Sequence, residues 1–441
     1  MLNFLFTKTP LFFLTQSFWR DEAFSFFLAK KNIIEIIFLT AKDYNPPLYY
    51  LILHFWMKIF GGSEISLRTV SFIFFWATLY IAFLILNDIL KIKVKKAIFY
   101  LLFFLINPFL LYYAFEARMY SMLAFFVTLS FYYLLKRDRR LYILVTVCGL
   151  FTHYFMIFVV VCQWLFLWIN NEKGFQFKKS AIYIAGLIFS PWLLFSLLQR
   201  NLFSSYWINR PQIKYILGLP VVIYTGIESF VNIDLISLNK IQNNLFQLYL
   251  VIALVLITGV YLYLKKLDKK DRQVFQILFI WSVGIPVFVG VVSFIKPIFL
   301  ARYLIFSSVG LILLIIFVLE KTNRLSRVIL LILLFVLTIN NNQLQLAYGK
   351  KADSRKTLRE IKAIMNKNDF VYVESDLDYF TAEYYINDTQ IYIYGKNYHD
   401  IPDYVGKVLI PKEKIASTLP FFPQKAFILN SDGKYSIQSM Y

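Results

Sequence analysis

The sequence predicts a polytopic α-helical membrane protein with about ten to eleven transmembrane helices and a small C-terminal α/β domain. Of its 441 residues, 59% are hydrophobic and the mean hydropathy is +0.60, which is more apolar length than one soluble core could bury. Lys and Arg fall in short clusters between the apolar runs. After Asn340–Asn342 the composition becomes polar, which marks the start of the C-terminal domain.

Apolar runs approach the length of about 20 residues that one crossing of a bilayer needs. They lie at 65–86, 97–115, 119–135, 180–198, 247–264, 273–295, 303–319 and 328–346. Region 141–170 is predicted to form a hairpin that turns near Thr152–Tyr154, because a single helix would export the basic residues of 173–179. Residues 1–18 offer only a short apolar run, so the first helix is predicted to be truncated or short and tilted. No small-residue cleavage site precedes Asp21, which argues against a signal peptide.

The net charge of +20 is interpreted as a topology signal rather than a nucleic-acid surface. The basic clusters are expected on the cytoplasmic side, and they lie at 91–96, 136–140, 173–179, 265–272 and 321–327. The loop 19–64, the turn at 116–120, His153, 199–246, 296–302 and everything after about 346 then share the extracytoplasmic face. Cys148 and Cys162 lie inside apolar runs, so no disulfide framework is expected.

Two domains are predicted, a transmembrane domain over 1–346 and an extracytoplasmic α/β domain over 347–441. The first exported loop, 19–64, is expected to hold interfacial helices at Ala23–Thr40 and Pro47–Phe60, separated by Lys42–Pro47 with its two prolines. In the C-terminal domain, the pattern predicts a helix at Ser354–Asn366 and strands at Phe370–Ser375, Gln390–Tyr394 and Lys407–Ile410.

Asp21 and Glu22 follow Arg20 at the start of the first exported loop. Ionisable side chains beside a bilayer are costly and often functional, so this segment is a candidate site. The structural alternative is a solvated loop that begins just outside the lipid.

Polar motifs occur in the order Arg20–Ser25, Asp43–Tyr50, Ser66–Arg68, Glu116–Tyr120, Thr152–Phe155 and Ala301–Tyr303. Each motif is weak alone, but their order and shared face resemble the GT-C glycosyltransferases related to protein O-mannosyltransferases and aminoarabinose transferases, glycosyltransferase family 39 and its relatives. The resemblance covers residues 15 to about 310. Two features depart from it: the short first helix, and Asn45, where relatives often carry histidine before the two prolines.

The resemblance implies transfer of a sugar from a polyprenyl-phosphate donor to an acceptor hydroxyl on the extracytoplasmic face. Breakage of the glycosidic bond by one attack predicts inversion at the anomeric carbon, since no second carboxylate has an obvious nucleophile role. Asp21 matches the catalytic base, and Glu22 would orient it or bind the acceptor. Arg118 and Arg302, with Tyr303 and His153, would hold the donor phosphate. Further donor or acceptor contacts are expected from Asp43, Asn45, Arg68, Glu116 and Tyr120.

Structural roles compete with several of these assignments. Arginines at helix ends often snorkel to the interface, so Arg118 and Arg302 could be anchors. Glu116 could pair with Arg118, and Asp43 could simply end a helix. A lone histidine at a turn, such as His153, is more often structural.

No spacing predicts a zinc site, but Mg or Mn bridging Asp43 or Glu22 to the donor phosphate is compatible with the sequence. No Gly-rich phosphate loop is present in the sequence, which favours a lipid-linked donor. The acceptor, a glycan, a lipid or a protein, is not identified. Two alternatives stay open, a polyprenyl-phosphate-sugar flippase or transporter and a non-catalytic member of the fold.

Overall fold

The computed structural model describes residues 9–170, 177, 179–199, 207–212, 217–227, 235–348, 353–386, 390–431 and 433–441. The chain divides into two compact units. The helical unit comprises the described residues of Met1–Leu11, Ser71–Leu193 and Ile208–Lys350. The mixed unit comprises those of Phe12–Val70, Leu194–Trp207 and Lys351–Tyr441. The first loop therefore belongs to the same compact unit as the C-terminal domain.

The first loop of the mixed unit is helical. Its helices are α1 Phe12–Thr15, α2 Arg20–Lys30, α3 Ile33–Lys42 and α4 Leu48–Phe60. The predicted helix Ala23–Thr40 is wrong, because the chain breaks between α2 and α3. Asn32 caps α3 by accepting from the Glu35 N–H at 2.9 Å, and the Glu35 carboxylate accepts from the Asn32 N–H at 3.1 Å. This capping box starts a new helix.

A five-stranded sheet forms the core of the C-terminal domain. Its strands are β1 Phe370–Val373, β2 Ile391–Tyr394, β3 Ile415–Ala416, β4 Ala426–Leu429 and β5 Tyr435–Gln438. The spatial order is β3-β2-β1-β4-β5, parallel except for the antiparallel β4–β5 pair. Helix α18 Ser354–Ile364 precedes β1, and α19 Tyr379–Ile386 lies between β1 and β2 in sequence. The predicted helix at 354–366 and the first two predicted strands are confirmed.

The third predicted strand, Lys407–Ile410, is wrong. Lys407–Leu409 is a 3-10 turn, in which the Leu409 N–H donates to Gly406 O at 2.9 Å and the Ile410 N–H to Lys407 O at 3.0 Å. These local hydrogen bonds thus use backbone N–H and C=O groups that a strand would pair with a neighbouring strand. The sheet instead takes β4, whose four residues are all buried and therefore show no alternation in sequence.

The helical unit is built from helices of unequal length, most of which are apolar. They are α5 Glu64–Leu84, whose start belongs to the mixed unit, α6 Val94–Leu105, α7 Pro108–Ala114, α8 Tyr120–Lys136, α9 Arg139–Thr152, α10 Met156–Asn170, α11 Ser180–Gln199, whose end belongs to the mixed unit, α12 Leu219–Thr225, α13 Leu235–Lys265, α14 Lys269–Phe279, α15 Ile285–Ile295, α16 Ile305–Glu320 and α17 Arg324–Tyr348. Among the described residues, six helical segments are long and apolar enough to cross a membrane, or seven if the bent pair α6–α7 is one span. Helices α8 and α10 are apolar but shorter.

Region 141–170 is not one continuous helix, because α9 ends at Thr152 and α10 begins at Met156. This confirms the predicted break near Thr152–Tyr154. Residues 1–8 and most of the basic segment 173–179 lie outside the described residues, so the predictions for them stay predictions.

The apolar run 97–115 bends by 71° between α6 and α7. Asn107 is fully buried at this bend and makes three side-chain hydrogen bonds. Its Oδ1 accepts from the Leu110 N–H at 3.0 Å and from the Ser308 hydroxyl at 3.2 Å, and its Nδ2 donates to Tyr224 O at 2.9 Å. The bend is therefore a fixed part of the fold.

The segment Ala301–Glu320 lies at the centre of the helical unit. In the most apolar stretch of this segment 89% of the residues are buried, whereas in the other candidate spans the share is at most 50%. Gly310 allows close packing, because a Cβ there would lie 2.7 Å from the Trp281 ring. The short 3-10 turn Ala301–Leu304 begins this segment and carries Arg302 and Tyr303.

Candidate functional site

In the helical unit, three chain segments bring two arginines, two tyrosines and a histidine together. Tyr120 opens α8, His153 ends α9, and Tyr303 lies in the turn before α16. The Tyr303 ring centroid is 6.1 Å from that of Tyr120 and 5.0 Å from that of His153. These contacts form one cluster, which we call the cationic cluster: Arg118, Tyr120, His153, Arg302 and Tyr303.

Each arginine of the cationic cluster lies over a tyrosine ring. Cζ of Arg118 is 5.9 Å from the Tyr120 centroid, and Cζ of Arg302 is 5.9 Å from the Tyr303 centroid. Such cation–π contacts stabilise a guanidinium that has lost part of its hydration. Arg118 is only 7% exposed. Two permanent positive charges thus lie within a largely apolar unit, an arrangement suited to an anion.

The turn that carries Arg118 is held by its backbone. The Arg118 N–H donates to Glu116 O at 2.7 Å, and the hydroxyl of Ser71 donates to Arg118 O at 3.1 Å. Glu116 is itself buried. These bonds fix the backbone from which the Arg118 side chain extends.

His153 is a neutral hydrogen-bonding group. Burial, reinforced by the nearby charge of Arg118, lowers the pKa of His153 to about 3. The Phe155 N–H donates to His153 Nδ1 at 3.1 Å, so Nδ1 is the acceptor and Nε2 carries the ring proton. His153 can therefore donate one hydrogen bond from Nε2 near neutral pH, but it adds no charge.

In the mixed unit, Asp21 lies in the first turn of α2 between two arginine–carboxylate pairs. Arg20 binds Asp378 in a bidentate pair, with Nε to Oδ1 at 2.7 Å and Nη2 to Oδ2 at 2.9 Å. Arg68 binds Glu22, with both nitrogen–oxygen distances at 2.8 Å. Asp21 itself is half-buried. Its carboxylate also lies at a helix N-terminus, where the backbone dipoles favour negative charge.

The Arg68–Glu22 pair is fully buried, with both side chains at 0% exposure. Arg68 also donates to the carbonyls of Leu14, Gln16 and Ser17 at 2.6–3.1 Å. Glu22 further accepts from the Trp19 N–H at 3.0 Å. With these partners Glu22 orients the turn that carries Asp21, and Arg68 is buried in the same network instead of facing a ligand.

Asp378 was missed by the sequence analysis. It is the last residue of the short 3-10 turn Asp376–Asp378 in the C-terminal domain and has no motif around it. No pattern in the sequence links this residue to Arg20, because 358 positions separate the two.

Asp43 and Asn45 lie at the end of α3. Asp43 is 6% exposed, and Asn45 Nδ2 donates to Asp43 Oδ2 at 3.5 Å. His54 has a packing role, since its Nδ1 lies 2.8 Å from Ala29 O. Among the described residues, no group of three or more His, Cys, Asp or Glu side chains could hold a metal ion. Glu22 is a poor ligand, because Arg68 occupies both its oxygens.

The predicted site residues thus form two groups, one in each unit. The cationic cluster, with Glu116 beside it in sequence, belongs to the helical unit. Asp21, Glu22, Asp43, Asn45 and Arg68 belong to the mixed unit.

Solved structures of similar fold include that of ArnT from Cupriavidus metallidurans in the apo state, with a TM-score of 0.58 and 12% identity. That match covers 88% of this chain and 83% of the other. The structure of ArnT from the same organism bound to undecaprenyl phosphate has a TM-score of 0.61 and 11% identity, and covers 97% of this chain and 92% of the other. No protein-family model and no curated protein matches the chain. The likeness confirms the predicted fold class.

Proposed function

From the GT-C fold that this chain shares with the two ArnT structures, we propose that it is an integral membrane glycosyltransferase. It transfers a sugar from a polyprenyl-phosphate donor to an acceptor hydroxyl at the extracytoplasmic face of the membrane. Inversion at the anomeric carbon is expected from a single attack by the acceptor, since we assign a nucleophile role to no second carboxylate among the described residues.

The cationic cluster is the observation that carries this proposal. A leaving lipid phosphate develops negative charge, and preorganised cations in a water-poor site stabilise that charge strongly. Arg118 and Arg302 provide two such cations, and the Nε2–H of His153 provides a neutral donor. The ArnT structure solved with undecaprenyl phosphate supports a lipid phosphate as the ligand of this fold.

Asp21 is proposed as the general base that takes the proton of the acceptor hydroxyl. An alcohol is a weak nucleophile until a carboxylate removes its proton, which typically contributes about 10²–10⁴-fold in rate. The two flanking ion pairs hold the backbone around Asp21, so its carboxylate is preorganised. Asp43 and Asn45 are proposed to contact the acceptor or the donor sugar.

The test is transfer from a panel of radiolabelled polyprenyl-phosphate sugars to membrane acceptors, with the wild type and Asp21→Asn purified in parallel. We expect one donor to be used by the wild type and transfer by Asp21→Asn to fall at least about 100-fold. Donor binding, measured by retention of labelled lipid, is expected to stay within about twofold, because the neutral amide keeps the size of the side chain.

Asp403→Asn is the matched control, because Asp403 is a half-exposed residue of the C-terminal domain. It should behave as the wild type in both assays. If Asp21→Asn transfers as fast as the wild type, Asp21 is not the base. If folded wild type uses no donor of the panel, a flippase or a non-catalytic role becomes the better explanation.

Metal dependence is a separate question in the same assay. Asp43 is the carboxylate through which Mg or Mn could approach a donor phosphate, since the oxygens of Glu22 are occupied by Arg68. We propose that Arg118 and Arg302 neutralise the phosphate and that no metal cation is needed. Transfer should then survive excess EDTA, and a loss restored by Mg or Mn would contradict this.

A further inference from the structure

The C-terminal domain contacts the turn that carries Asp21 through a set of polar side chains of the mixed unit. Among these side chains, Asp378 is linked most directly to Asp21, because it pairs with Arg20, the residue before Asp21. Both oxygens of Asp378 and two nitrogens of Arg20 take part. A bidentate pair fixes the plane of the guanidinium as well as its distance.

Helices α18 and α19 of the C-terminal domain add further polar contacts with the first loop and the residues just before it. The Tyr385 hydroxyl accepts from the Phe18 N–H at 2.7 Å and donates to the carboxylate of Glu64. Burial, reinforced by Glu64, raises the pKa of Tyr385, so this phenol keeps its proton at any physiological pH. Arg355 pairs with the same Glu64 at 3.2 Å and donates to Thr15 O at 2.8 Å.

Apolar contacts reach the same helix. The Phe24 ring of α2 packs edge-on against Phe380, with centroids 5.6 Å apart. Gly406 also faces this ring, since a Cβ there would lie 2.4 Å from Phe24. The C-terminal domain thus touches α2 on polar and apolar sides, which is more than a tethered recognition module requires.

We propose that Asp378 is a positioning residue for the transfer reaction. Its carboxylate neutralises and fixes Arg20, and thereby holds the first turn of α2 with Asp21 in the geometry for proton abstraction. The C-terminal domain is then a working part of the catalytic machinery in addition to any role in acceptor binding. This inference rests on the proposed function, specifically on Asp21 as the base.

Two effects are expected when the pair is broken. The first turn of α2 loses one of its two ion pairs, and small displacements of a reacting group can cost about 100-fold in rate. The charge of Arg20 is also released beside Asp21. A nearby cation stabilises a carboxylate and makes it a weaker base, so the acidic limb of the kcat–pH profile should move to lower pH.

The experiment measures kcat, donor KM and the pH profile for Asp378→Asn, Arg20→Gln and the double variant. For Asp378→Asn we expect kcat to fall about 10- to 100-fold, donor KM to stay within about twofold, and the acidic limb to shift downward. Arg20→Gln should lower kcat without that shift, because it removes the cation. The double variant should be no slower than the slower single variant, since one contact is lost in all three.

Asp378→Glu is the conservative variant, which can re-form the pair and should recover most of kcat. Thermal unfolding of each variant separates loss of activity from loss of fold, and Asp403→Asn again serves as the control. Unchanged kcat and an unchanged pH profile in folded Asp378→Asn would overturn the proposal. The proposed function fails separately, through full activity of Asp21→Asn, so the two failures are distinguishable.

Discussion

Replacing Arg68 with leucine should destabilise the protein strongly, because it removes the partner of a fully buried carboxylate. Breaking a buried ion pair from one side costs about 3–5 kcal/mol, since the remaining charge is uncompensated. Arg68 also satisfies three backbone carbonyls, and a buried unsatisfied acceptor costs about 1–3 kcal/mol. Protonation of Glu22 can reduce only the first of these costs, so we expect a loss of at least about 4 kcal/mol in the free energy of unfolding.

A double-mutant cycle isolates the pair. Glu22→Leu should cost about 3 kcal/mol, because the guanidinium keeps its carbonyl partners. The variant with both leucines removes both charges, so its loss should be at least about 2 kcal/mol smaller than the sum of the single losses. The assay is reversible unfolding in mixed micelles with increasing SDS.

Arg359→Leu provides the control, because Arg359 is exposed on α18 and should change stability by less than about 0.5 kcal/mol. A loss below about 1 kcal/mol for Arg68→Leu, or strictly additive effects in the cycle, would refute the reasoning. Either result would mean that the Arg68–Glu22 pair does not hold the turn at Asp21.

Two further predictions concern stability. Gly406 has φ +89°, and a Cβ added there would lie 2.4 Å from the Phe24 ring, so Gly406→Ala should lower the free energy of unfolding by about 2–3 kcal/mol. Gly395 has φ +71° but open space around it, so Gly395→Ala should lower it by only about 1 kcal/mol. The pKa of His153 is about 3 in the folded protein, whereas in the unfolded chain it is near 6.5. The stability that neutral His153 provides is complete above pH 6.5 and is lost as the pH falls toward 3, by about 1.4 kcal/mol per pH unit. The Tm of the wild type should therefore fall more steeply from pH 6.5 to 4 than that of His153→Gln, and parallel curves would contradict this assignment.

The membrane fold was predictable because its signals are local. Apolar runs and basic clusters repeat along the chain, and six of the described helical segments meet the length and composition of a span. The break at His153 followed from the same charge pattern. The bend at Asn107 was not foreseen, since a single polar residue before a proline in an apolar run does not reveal partners on Tyr224 and Ser308.

The candidate site was predictable only in part. Motif order singled out Arg118, His153 and Arg302, and the structure groups these three in the cationic cluster with Tyr120 and Tyr303. The resemblance distinguished Asp21 as the base from Glu22, but it did not show that Glu22 is buried against Arg68, because that burial is a tertiary property. Strand β4 was missed for a similar reason, since a strand buried on both faces loses the alternation that marks a half-buried one.

The pairing of Arg20 with Asp378 sets an order of events during biosynthesis. Ribosomes add about 5–20 residues per second, so the 358 positions between the two residues correspond to about 20–70 s of synthesis. During that interval the first loop lacks the partners that α18, Asp378 and α19 later provide. The mixed unit can close only after the C-terminal domain has been synthesised. A chain stopped before residue 378 should therefore leave its first loop open to proteases, however well its earlier helices have inserted.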